Sequence, residues 1–195
     1  MHKNMRYAIG IQGGRGSFNE QAAELYIKTR KQDSFEIVYL YTSLGVLKAV
    51  SEGVVQYGLF AICNSIGGLV EESIQAMGEY DFCYLDSISL QISHNLMIRH
   101  DMDPSSITTI MAHPQVLKQC TNTLAAKYPQ LLTKSGEGEL IDTARAAEAL
   151  AKGELKPSTA ILGPAGLARM YAFTTIDTNL QDDMTNRTTF IIIKR

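Results

Sequence analysis

Between residues 13 and 23 the chain reads GGRGSFNEQAA, a glycine-rich turn running into Ser17, which can cap a helix. Comparable turns stand at Asn64-Ser65 with Gly67 and Gly68, at His113-Pro114, and at Thr143. Each opens a helix whose first backbone N–H groups lack partners and carry a partial positive charge, so helix starts gathered at one cleft suit a small anion such as a carboxylate. The glycine loop fits neither GxGxxG nor GxxxxGK[ST], and no GxSxG is present, which sets aside nucleotide binding and serine hydrolysis. His2, His94, His100 and His113 show no HxxxH spacing, and Cys63, Cys83 and Cys120 show no CxxC. No metal, no cofactor and no disulfide are expected. Gln115 and Gln119, four apart on a helix begun by Pro114, share a face and could project together.

These groups need elements to hold them. Residues 7–11 form a strand-sized apolar run, followed by a helix from Ser17 to about residue 28. Strands at 36–41 and 57–62 flank a helix capped by Ser43, and a further helix presents Leu69, Val70, Ile74 and Met77. From 88 to 98 the parity of Ile88, Leu90, Ile92, Leu96 and Ile98 predicts one long strand with a buried face. His94 falls on that face and reads as a hydrogen-bonded core residue. Then come a strand at 107–112, a helix from Pro114 facing inward with Val116, Leu117, Cys120 and Leu124, a helix capped by Thr143, and a strand at 159–162. The last strand, 188–193, is expected back beside the first ones. The fold class is therefore α/β: two α/β lobes, 1–80 with 176–195 and 81–175, with a cleft between them.

With 195 residues, 45% of them hydrophobic and 19% charged, the chain can bury a core and is not disordered. A net charge of −2 without long charge runs argues against a nucleic-acid partner. Its apolar runs are strand-sized, so no membrane span is expected. The start MHKNMRYAIGI has no long apolar core, so an unprocessed, cytoplasmic protein is expected.

Taken in order, GGRGSFNEQAA (13–23), FAICNSIGGLVEE (60–72), AHPQVLKQC (112–120), DTARAA (142–147), TAILGPAGLARMYAF (159–173) and NRTTF (186–190) resemble the motif set of the prephenate dehydratase family. The resemblance covers essentially the whole chain. It implies a two-lobed catalytic domain shaped like periplasmic-type binding proteins, a homo-oligomer, and no regulatory ACT domain within this sequence. It implies a lyase of phenylalanine biosynthesis that converts prephenate to phenylpyruvate with loss of water and CO2. Residue by residue, it makes Thr188 the proton donor and places Asn64, Ser65, Gln119, Thr143, Asn186, Phe190 and Ser17 around a small carboxylate substrate.

The chain departs from the family pattern where Cys63 replaces the glutamate of ENS and Thr189 the arginine of TRF. Two other readings stay open on these residues, a catalytically silent carboxylate-binding protein and a prephenate decarboxylase. Losing one member of a buried ion pair strands the other charge, whereas losing both is often neutral, so Cys63 and Thr189 are expected to be neighbours. Arg187 shares the face of Thr189 and either stands in for the lost charge, reaching a carboxylate or Asp86, or lies in solvent.

Overall fold

In the computed structural model residues 6–30 and 34–195 are described, and the expectations placed on residues 1–5, His2 included, lie outside them. The elements in chain order are β1 (Arg6–Ile11), α1 (Phe18–Thr29), β2 (Ser34–Tyr39), α2 (Ser43–Ser51), β3 (Tyr57–Asn64), β4 (Gly68–Leu69), α3 (Glu71–Met77) and β5 (Cys83–Gln91). They continue with β6 (Asn95–Ile98), β7 (Thr109–Met111), α4 (Pro114–Gln119), α5 (Thr121–Lys127), β8 (Leu132–Lys134), α6 (Thr143–Ala151), β9 (Thr159–Gly163), α7 (Gly166–Tyr171), β10 (Thr174–Asp177) and β11 (Arg187–Lys194). The chain divides into two compact units, the first running to Gln91 and taking in Thr185–Arg195, the second Ile92–Met184.

The sheet of the first unit has the order β2-β1-β3-β11-β5, with β4 as a short partner of β3. β1 pairs in parallel with β2 and β3, whereas β11 runs antiparallel to both β3 and β5. Alternation along the strands divides their apolar side chains between two cores. Ile9, Ile11, Leu59, Phe190 and Ile192 pack with Ala22, Ala23 and Tyr26 of α1. Phe60, Ile191 and Ile193 pack with Val46, Leu47 and Val50 of α2 and Ala76 of α3. The second unit repeats the plan with the order β10-β6-β9-β7-β8. Leu96, Ile98, Ile110 and Leu162 meet Cys120 and Leu124 on one face, and Met97, Met111 and Ile161 meet Ala146, Ala147, Leu150 and Leu167 on the other.

Several local expectations are corrected. The long strand at 88–98 is two strands: β5 ends at Gln91 in the first sheet and β6 begins at Asn95 in the second. The hydrophobic parity is the same on either side of the break, so the pattern could not show it. Between them the His94 backbone bonds away from either ladder, its N–H donating to Gln181 Oε1 (3.0 Å) and its carbonyl accepting from the Leu180 N–H (2.9 Å). Consequently β5 belongs with β11, and β10 stays in the second sheet. The helix from Pro114 breaks at Cys120, where the Asp182 carboxylate accepts the Asn122 and Thr123 N–H groups at 2.9 and 2.8 Å and caps a new helix. Thr42 and Asp142, each one residue earlier than expected, are the side chains that cap α2 and α6. Leu69 lies in β4 and is exposed, as is Ile74, and α3 buries Ser73 and Ala76 instead.

Gly58 shows how tightly α2 lies on the first sheet. A Cβ there would come within 2.6 Å of Val46 Cγ1, 2.9 Å of Ile193 Cγ1 and 3.0 Å of Val50 Cγ2. Gly58→Ala is therefore expected to destabilise the protein by about 1–3 kcal/mol through overpacking, read as a lower urea midpoint.

Candidate functional site

The end of β3 lies beside the start of β11, with Asn64 directly opposite Thr188. Asn64 Oδ1 accepts the Ile66 and Gly67 N–H groups at 3.0 and 2.8 Å, an Asx-type turn that folds the chain back after β3. Its Nδ2 donates to Asn186 Oδ1 (2.7 Å), Thr188 Oγ1 (2.9 Å) and the Arg187 carbonyl (3.2 Å). Ser65 closes the junction, its N–H donating to the Arg187 carbonyl at 2.8 Å and its Oγ accepting the Arg187 N–H at 2.9 Å. Both ends of the Asn64 amide are thus occupied by the protein.

Two donors are left by this arrangement. Because Thr188 Oγ1 already accepts from Asn64, its own O–H is directed elsewhere, and among the described residues none accepts it. Asn186 is fully buried, and its Nδ2 has no acceptor among the described residues, an arrangement that costs free energy unless a ligand oxygen or water meets it. Of the two, only the half-buried Thr188 hydroxyl is open to a ligand oxygen, since the Asn186 amide is fully buried.

Around this pair the other candidates take different parts. Phe190 is 1% exposed and sits in the core against α1. Thr189 stands opposite Cys63, the neighbours required if both charges were lost together. Arg187 does not reach Asp86. Its guanidinium donates to the Ser89 carbonyl (2.9 Å) and Oγ (3.3 Å) on β5, while Asp86 accepts the Ser87 N–H. Ser17 caps α1, its Oγ accepting the Glu20 N–H at 3.2 Å. Glu20 in turn accepts the Gly16 N–H and the Tyr39 hydroxyl, which burial and the carboxylate push up to about 12. Gly13 and Gly16 take φ of 89° and 78°, so this loop needs glycine, and Ser17 is chiefly its anchor.

In the second unit Gln119 is half-buried and its Oε1 lies 2.8 Å from His94 Nε2. His94 is 2% exposed, and desolvation holds its pKa below the ordinary histidine value, with the Gln119 bond opposing in part. Gln115 is exposed, so the two glutamines differ in surroundings although they share α4. Thr143 is the first residue of α6, where its Oγ1 accepts the His113 N–H at 3.2 Å. The structure therefore gathers Asn64, Ser65, Asn186 and Thr188 in one group and ties Gln119 to His94 and Thr143 to His113 in the second unit. Among the described residues no group of three or more His, Cys, Asp or Glu could hold a metal ion, and no helix is long and apolar enough to cross a membrane.

The family model for prephenate dehydratase matches residues 9–195. A chloroplastic arogenate dehydratase/prephenate dehydratase of Arabidopsis thaliana is 27% identical over 192 residues, covering 97% of this chain and 47% of the relative. The chain spans about half the length of the curated relatives it matches. The prephenate dehydratase of Arthrobacter aurescens, solved with L-Phe, superposes with a TM-score of 0.79 at 19% identity, covering 96% of this chain and 60% of that one. GqqA, a quorum-quenching acylase, superposes with a TM-score of 0.78 at 20% identity, covering 96% and 64%. At such identities the two structures show the shared fold alone, a fold that hosts more than one chemistry. With almost its whole length matched by the family model, the chain belongs to the prephenate dehydratase family.

Proposed function

We propose that the protein is a lyase of the prephenate dehydratase type, acting on a hydroxylated cyclohexadiene carboxylate: prephenate, or its amino counterpart arogenate, for which several relatives are named. For prephenate the balance is one proton taken up and phenylpyruvate, CO2 and water released. The electron pair of the breaking C–CO2 bond enters the ring, the ring hydroxyl leaves as water, and aromatisation drives both. The chemistry needs a proton at the departing oxygen and polar contacts for the carboxylates, and no redox step.

The observation that carries this reading is the Asn64 N–H directed into Thr188 Oγ1. A donor on the oxygen stabilises the alkoxide character that builds as the hydroxyl gives up its proton, and it leaves the O–H free to point at the leaving group. Asn186 holds Asn64 in place through its Oδ1, and the same reading assigns Gln119 and Thr143 of the second unit to the substrate's carboxylates. Cys63 opposite Thr189 fits a paired replacement that leaves no uncompensated charge behind, so the fold tolerates the loss of the usual charges. Homo-oligomerisation and a cytoplasmic location belong to the same reading, and light scattering measures the first.

Purified protein incubated with prephenate should form phenylpyruvate, followed by its absorbance, with arogenate run in parallel and calorimetry reporting binding. Binding without product would support the silent carboxylate binder instead, and a product that keeps the ring hydroxyl would support the decarboxylase. Thr188→Val keeps the β-branched shape and removes the hydroxyl, so turnover should drop by about 100-fold to 10,000-fold with the melting temperature preserved, and a near wild-type rate would remove Thr188 as the acid. Asn64→Asp keeps the Asx turn but sets an oxygen against the Arg187 carbonyl and turns the Thr188 O–H toward the new carboxylate. It should lower stability by about 1–3 kcal/mol in denaturant titration and reduce turnover as well.

A further inference from the structure

His94, which parity alone assigns to the core, is held with unusual completeness. Its backbone N–H donates to Gln181 Oε1 (3.0 Å) and its carbonyl accepts from Leu180 (2.9 Å), and Gln181 is itself 2% exposed. The next residue of that segment, Asp182, donates its N–H to the Gln119 carbonyl at 2.7 Å and caps α5 with its carboxylate. The backbones of His94 and of Gln119 are thus anchored to the same three-residue segment, 180–182. The remaining freedom is rotation of the Gln119 amide, and His94 Nε2 lies 2.8 Å from its oxygen.

We propose that His94 is a positioning residue: its Nε2–H donates to Gln119 Oε1 and so turns the two N–H donors of Gln119 Nε2 outward, to a substrate carboxylate. This rests on the reading of Gln119 as a substrate contact. An amide has one acceptor end and one donor end, and only the donor end suits a carboxylate. A ring that carried its proton on Nδ1 would accept from the amide instead and present the Gln119 oxygen outward, repelling the anion. Burial keeps the ring neutral, so it has a single N–H and the choice of nitrogen sets the choice of amide face. A solvated glutamine at this place would hold no fixed face, which is the difference the histidine makes.

The test uses His94→Phe, which keeps the ring and removes the donor, and His94→Gln, which returns an N–H at about the distance of Nε2. With prephenate, His94→Phe should lower kcat/KM at least ~10-fold, the scale of a misplaced substrate contact, and His94→Gln should recover most of it, while the two variants melt at similar temperatures. In the wild-type protein, nitrogen-15 NMR should show the Nε2–H tautomer and a restrained Gln119 side-chain amide, assigned by its loss in Gln119→Leu. An Nδ1–H tautomer, a freely rotating Gln119 amide, or His94→Gln as impaired as His94→Phe would overturn the proposal. Should wild-type protein neither bind nor turn over prephenate, the functional reading fails, and the tautomer and amide signals still decide the role of His94. If His94→Phe does not fold, the wild-type spectra and the His94→Gln kinetics decide it.

Discussion

One amide does most of the organising in the first unit. Asn64 has two N–H donors and one carbonyl, and the oxygen is spent on the turn at 66–67 while the donors bridge to residues 186–188. That division matters because the two sides come from segments more than a hundred residues apart, and a single side chain must satisfy both the local turn and the long-range pairing. The hydroxyl of Thr188 inherits its orientation from this constraint. So does Asn186, whose oxygen is used by Asn64 and whose nitrogen is left without an acceptor in the described protein.

The rest of the first unit explains why that amide sits where it does. β11 runs between β3 and β5, and its apolar residues alternate between the α1 core and the core of α2 and α3. A one-residue slip would move Ile191 and Ile193 to the wrong core, and the register against β3 shifts once, between Thr189 and Phe190, before Thr188 meets Asn64. The close approach of α2 at Gly58 holds the same sheet from the opposite face. In the second unit a comparable economy operates through residues 180–182, which tie the break between β5 and β6 to the break between α4 and α5. Both irregularities are places where backbone groups have left a regular ladder and must find partners elsewhere.

The sequence by itself determined the α/β class, most strands to within a few residues, the return of 188–193 to the first sheet, and the family. Those properties are local or are written in ordered motifs: alternation marks a half-buried strand, and proline at the first turn or serine before it marks a helix start. Only the tertiary structure decided where the 88–98 segment breaks, because Leu90 and Leu96 have the same parity whether they share a strand or not. It also decided that Phe190 is buried against α1, that Arg187 turns to Ser89 and not Asp86, and that His94 meets Gln119. Each of these depends on which segments pair across long sequence separations, and a hydrogen bond between residues 94 and 119, or 64 and 188, leaves no periodic trace along the chain.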